Sequence, residues 1–263
     1  ACTFPVWMRN DISSSWNGID HMARILAITN QKGGVGKTTS AVNLAASLAS
    51  LDRRVLLIDL DPQGNATTAS GVDKQALKKT VYHVLLRAAA VAEARVRCQG
   101  GGYDLLPANR DLAGAEVELV QEKEREFRLR EGLATIADEY DFILIDCPPA
   151  LNLLTVNALS GADAVLIPMQ CEYFAIEGLA DLVNTIKKIK ARLNPGLTID
   201  GVARVMFDSR NTLAQNVSDQ LKAHFGGKVF DTVVPRNVRL AEAPSHGLAA
   251  LQYDRASRGA QAY

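Results

Sequence analysis

Residues 25–39 read ILAITNQKGGVGKTT. An apolar run rich in β-branched residues leads into a glycine-rich turn. A Thr-Thr-Ser stretch then opens a segment with helical spacing. Gly36, Lys37 and Thr38 close the phosphate-binding pattern G-x-x-x-x-G-K-[ST], in which backbone N–H groups cradle phosphates, the lysine reaches the outer phosphates and the hydroxyl meets Mg²⁺. Gln31 stands where the first glycine of that pattern belongs, and Lys32 follows it as a second lysine. A strand that enters such a loop and leaves it as a helix aims the helix N-terminus at an anion. This unit predicts an α/β fold.

The rest of the chain repeats the alternation. Apolar, β-branched runs at 25–29, 55–59, 142–146, 164–168, 199–207 and 229–234 predict strands, and a short one is expected at 103–107. Helical stretches at 38–51, 127–139, 176–193 and 213–224 lie between most of them. Near-continuous apolar strands separated by amphipathic helices indicate a mostly parallel central sheet flanked by helices on both faces. No repeat and no Pro/Gly/Ser linker divides the chain, so residues 22–263 read as one domain. Residues 1–21 lack periodicity and the basic and apolar regions of a signal peptide, and are expected to be a disordered leader or vector-derived extension.

Composition narrows the function. Lys plus Arg and Asp plus Glu each number 29, which gives zero net charge. Any nucleic-acid binding must therefore come from a local patch and not from a bulk polycation. No apolar run reaches the ~18 residues of a membrane helix. Cys2, Cys98, Cys147 and Cys171 are scattered with no C-x-x-C pair, as expected of reduced thiols in a cytosolic protein. Cys147, directly after an apolar strand, reads as a small buried hydrophobe. The cations Lys187, Lys188, Lys190 and Arg192 end a helix and suit its dipole, with a nucleic-acid contact as the alternative.

Two more strand ends are acidic. VLLIDLDPQGN places Asp59 and Asp61 after one strand, and YDFILIDCPP places Asp146 after another. Ligands of open parallel sheets bind beyond the carboxyl ends of the strands, so all three acids are expected to face the crevice that the glycine loop faces. A nucleoside triphosphate with Mg²⁺ fits that set.

K-G-G-V-G-K-T resembles the deviant Walker A motif. D-L-D-P-Q-G-N, D-C-P-P, E-Y-F-A-I-E-G and P-R-N-V-R-L-A-E-A-P-S, in that order, resemble the ParA/Soj partition ATPases of chromosomes and plasmids, within a superfamily that includes MinD, the nitrogenase iron protein and ArsA-type pumps. The resemblance runs from about Arg24 to the C-terminus. It implies a cytoplasmic, nucleoid-associated single-domain P-loop ATPase with slow intrinsic hydrolysis. ATP would bind on Lys32, Gly33, Gly34, Val35, Gly36, Lys37, Thr38 and Thr39, with Pro235, Arg236 and Asn237 near the adenine. Mg²⁺ would take Thr38 directly and Asp146 through water. Asp61, with Asp59 as the alternative, would position the attacking water. Lys32 would reach the phosphates of a second protomer in an ATP-bound homodimer, which makes charge stabilisation conditional on dimerisation. Arg210, Arg239 and Arg236 would contact double-stranded DNA without sequence preference, and a ParB-like DNA-binding partner would stimulate hydrolysis. Two rival readings are a MinD-like ATPase at a membrane and a metabolic P-loop enzyme of the dethiobiotin-synthetase type. The ending LQYDRASRGAQAY offers no basic amphipathic helix for the first.

Overall fold

The computed structural model describes residues 22–263, so the expectations for residues 1–21 and Cys2 lie outside the described residues. Eight strands form one sheet: β1 (Arg24–Ile28), β2 (Val55–Asp59), β3 (Val96–Cys98), β4 (Tyr103–Leu106), β5 (Phe142–Asp146), β6 (Ala164–Met169), β7 (Thr198–Phe207) and β8 (Val229–Pro235). Their order is β3-β4-β2-β5-β1-β6-β7-β8. All neighbours are parallel except the edge pair β3 and β4, which is antiparallel. β2 and β5 are buried along their whole length. Coverage on both faces is what lets such uniformly apolar strands form.

One face of the sheet packs with Ala41, Val42, Ala45 and Ala46 of the helix Lys37–Ala49. The opposite face carries Leu129 and Leu133, Leu154 and Ala158, Leu179 and Leu182, and Val217 and Leu221, from four further helices. Among the described residues, no helix is long and apolar enough to cross a membrane. Cys98, Cys147 and Cys171 are buried free thiols.

Two expectations need correction. The helix expected over 127–139 breaks into Arg128–Ala134 and a short 3-10 turn, Ala137–Glu139. Ile136 leaves helical geometry (φ −138°) and is 3% exposed, so burying it ends the helix. The edge strand β3 is absent from the expected set, because three residues are too few to show alternation. Register fixes what matters for the site. Asp59 at the end of β2 pairs across from Asp146 at the end of β5, and Ile28 of β1 pairs with the same Asp146.

Candidate nucleotide site

The loop after β1 is shaped by its glycines and pinned by Asn30. Gly34 and Gly36 have φ of +72° and +77°, a left-handed conformation that side chains with a Cβ disfavour. Asn30 Oδ1 accepts from Lys32 N (3.0 Å), and Asn30 Nδ2 donates to the Pro168 carbonyl (2.8 Å), which ties the loop to β6. Gly36 sits at the N-cap of the helix Lys37–Ala49, with no side chain capping it. The free N–H groups of that first turn are available to an anion.

Lys37 is 7% exposed, and its Nζ donates to the Lys32 carbonyl (3.0 Å). Burial lowers its pKa, while the nearby Asp146 carboxylate opposes that shift. Lys37 thus curls over the loop in which phosphate would be cradled.

The acids divide by environment. Asp146 is fully buried, and its Oδ2 accepts from Thr38 Oγ1 (2.7 Å). Its Oδ1 is buried with no hydrogen-bond partner among the described residues. Burial, and then the neighbouring Asp59, hold its pKa well above the ordinary carboxylate range. A buried oxygen without a donor is costly. A Mg²⁺ ion that keeps part of its hydration shell would supply both a positive charge and a donor there. Thr38 and Asp146, brought within hydrogen-bond distance, fit that ion.

Asp59 also has no exposed surface, but its oxygens are occupied. Oδ2 accepts from Thr67 N and Thr67 Oγ1, each at 2.7 Å, and Oδ1 accepts from Asp61 N (3.2 Å). Thr67 Oγ1 in turn accepts from Ala108 N (3.0 Å). This carboxylate anchors the loop that carries Asp61. Its oxygens are held by these donors, in the turn that leads on to Asp61. Asp61 is half-buried, and its Oδ1 accepts from Gln63 N (2.9 Å) within its own turn.

Lys32 points elsewhere. Its half-exposed ammonium forms an ion pair with Glu172, just beyond β6. Tyr173 and Phe174, directly after Glu172, are exposed large hydrophobics, and their two rings pack edge to face.

The profile of the AAA domain family matches residues 23–199. The chain is 52% identical to the chromosome partitioning protein ParA of Caulobacter vibrioides over 242 residues, which span 91% of both proteins. It is 50% identical to the sporulation initiation inhibitor protein Soj of Bacillus subtilis over 92% of this chain and 96% of that one. This chain belongs to the ParA/Soj family. Among solved structures, cobyrinic acid a,c-diamide synthase of Mycobacterium smegmatis with a bound ATP analogue and magnesium superposes with a TM-score of 0.81 at 38% identity, over 92% of this chain and 91% of that one. The protein is a P-loop ATPase.

The remaining expected residues of this ParA/Soj protein lie at the ends of β7 and β8. Pro235 pairs with Phe207 across those strands, and Arg236 N donates to the Phe207 carbonyl (3.3 Å). Asn237 caps the helix Val238–Glu242 by accepting from Arg239 N (2.9 Å), so its side-chain oxygen is engaged. Arg210, Arg236 and Arg239 are exposed. Sequence reading missed three partners: Thr67 of Asp59, Glu172 of Lys32, and Asp208 of Arg210. Glu172 opens the E-Y-F-A-I-E-G motif, and Asp208 stands two residues before its arginine, so local signals for both were present.

Proposed function

We propose that the chain is a DNA-segregation ATPase that works as a nucleotide-controlled switch in the cytoplasm, on the nucleoid. ATP with Mg²⁺ drives two protomers together face to face, the dimer binds double-stranded DNA without sequence preference, and hydrolysis stimulated by a ParB-like partner releases it. The observation that carries the reading is the placement of Lys32. Its ammonium is half-exposed on Glu172, which exposed Tyr173 and Phe174 directly follow, while Lys37 alone curls over the loop. A cation so held is available to a second protomer, and exposed aromatics beside it are the residue types that anchor interfaces.

Within each protomer the groups act in sequence. The loop N–H groups and Lys37 hold the β- and γ-phosphates. Thr38 directly and Asp146 through water would hold Mg²⁺, which would neutralise phosphate charge. Asp61, steadied through Asp59 and Thr67, orients the attacking water. Lys32 of the other protomer adds the second cation as charge develops on the leaving oxygens. A metabolic phosphotransferase gains nothing from such an arrangement.

Sizing with ADP or a non-hydrolysable ATP analogue, with and without DNA, tests the reading. The expected result is a dimer with the analogue only, bound to DNA. Arg210→Glu with Arg239→Glu should remove DNA binding and keep the dimer. Analogue-dependent pelleting with lipid vesicles and no retention of DNA would overturn it in favour of a membrane-positioning ATPase.

A further inference from the structure

Arg210 is 89% exposed, yet one edge of its guanidinium is engaged by a neighbouring carboxylate. Nε donates to Asp208 Oδ1 (3.0 Å) and Nη2 to Asp208 Oδ2 (2.9 Å), a two-pronged pair, while Arg210 N also donates to Oδ1 (3.0 Å). Arg239, in the helix that follows β8, meets two carboxylates singly. Its Nη1 donates to Glu242 Oε2 (2.8 Å), and its Nε lies 3.3 Å from Asp254 Oδ2. Arg236 stands close enough to Asp208 to lower the pKa of that carboxyl, together with the stronger effect of Arg210, to about 2.

Three arginines thus share this surface with three carboxylates. Doubling such a patch by dimerisation would double these carboxylates along with the arginines, and the chain as a whole adds no net positive charge. At Arg210 and Arg239, phosphate must compete with carboxylate oxygens that already hold part of each guanidinium.

Given the proposed contact of Arg210 and Arg239 with DNA, on which this step rests, we infer that Asp208, Glu242 and Asp254 are built-in competitors of DNA phosphate. They occupy guanidinium nitrogens of Arg210 and Arg239 and set the DNA affinity of the dimer. A carboxylate and a phosphate compete for the same N–H donors. The carboxylate also repels an approaching phosphate from within a screening length of ~8 Å. Such competition keeps the affinity of each contact low, so release follows readily when the dimer parts.

The experiment is DNA retardation with a non-hydrolysable ATP analogue across a salt series. Asp208→Asn and Glu242→Gln are the test variants. Asparagine keeps an oxygen for the turn hydrogen bond to Arg210 N and lacks the charge. Each variant should tighten binding roughly twofold to fivefold, the range of an exposed ion pair, and the two gains should multiply. Glu93→Gln is the control, since it frees Lys79 (3.1 Å away) beside β3 at the opposite edge of the sheet with the same change in charge. Asp208→Asn in an Arg210→Ala background should give no more gain than that control. Unchanged or weaker binding by Asp208→Asn and Glu242→Gln would overturn the inference and make the carboxylates positioning groups for the arginines. If the double Arg210→Glu, Arg239→Glu protein binds DNA like the parent, the DNA reading itself fails. If it loses DNA while the carboxylate variants bind like the parent, only the competition fails.

Discussion

Asp59 receives three hydrogen bonds with no exposed surface, while Asp61 remains half-buried in the turn that Asp59 holds. Burial raises the Asp59 pKa from the usual 3.8 to about 6, against the opposing effect of its Thr67 donors. Between these values the folded state holds more of this proton than the unfolded state, so the contribution of Asp59 to stability falls as pH rises from about 4 to about 6. Asparagine stays neutral throughout and loses the weak bond to Asp61 N at every pH. The melting temperature of nucleotide-free Asp59→Asn, relative to the parent, should therefore climb from pH 4 to pH 7, as calorimetry would register; a flat difference would sink the assignment. Asp61→Ala makes the complementary case. It should slow phosphate release while leaving an ATP-dependent dimer that persists in ATP by sizing, and hydrolysis at the parental rate would remove Asp61 from the mechanism. Spacing alone left these two acids undivided, because what separates them is Thr67, eight residues beyond Asp59 and brought back by a turn.

Elements with a strong local signature were legible, and those defined by distant contacts were not. The apolar runs gave β2 and β5 to the residue, and the glycine loop gave the start of its helix within one residue. The helix Leu153–Gly161 went unread because LLTVNALSG is buried nearly all round and offers no polar face. The C-terminal helix Arg258–Ala262 has no apolar period, and the hydrogen bond between Ser40 and Tyr263 (2.9 Å) joins positions 223 apart. A backbone contact of the same long-range kind joins Gly71 and Gly247. Both have positive φ, and a Cβ on Gly247 would stand 2.5 Å from Gly71 Cα, which is backbone and cannot swing aside. This contact holds the end of the helix Asn65–Ala69 against the segment Ala243–His246, whose Pro244 and Ser245 line a cavity of about 400 Å³ beside Thr38 and Thr39. Gly247→Ala should cost about 1–3 kcal/mol by positive-φ strain and steric overlap, read as a lower urea midpoint with unchanged slope. A parental midpoint would show that the two segments part without consequence.

At the scale of the whole molecule, the isolated protomer has one phosphate-facing lysine and a second that is held away from it. Lys37 curls over the loop, but Lys32 is engaged by Glu172 on the exposed rim. A surface ion pair of this kind is weak, so in the proposed dimer a partner's polyphosphate would displace Glu172. On that proposal, the γ-phosphate of an isolated protomer would lack its second cation, and the charge that develops in the transition state would be only partly balanced. Turnover per protomer should therefore rise with protein concentration and level off where the dimer saturates. The plateau should lie well below the ~10 s⁻¹ typical of metabolic enzymes. Lys32→Ala should bind ATP with near-parental affinity, because the contacts of the protomer's own loop survive. Its turnover should be low and independent of concentration. Lys37→Ala should instead lose ATP binding at every concentration, which separates the two lysines in one titration series. Phosphate release measured across a hundredfold range of protein, beside sedimentation of the same samples in ATP, decides the matter. Parental turnover that is already constant at the lowest concentration, where sedimentation finds only monomer, would mean that each protomer hydrolyses alone and that Lys32 serves no second site.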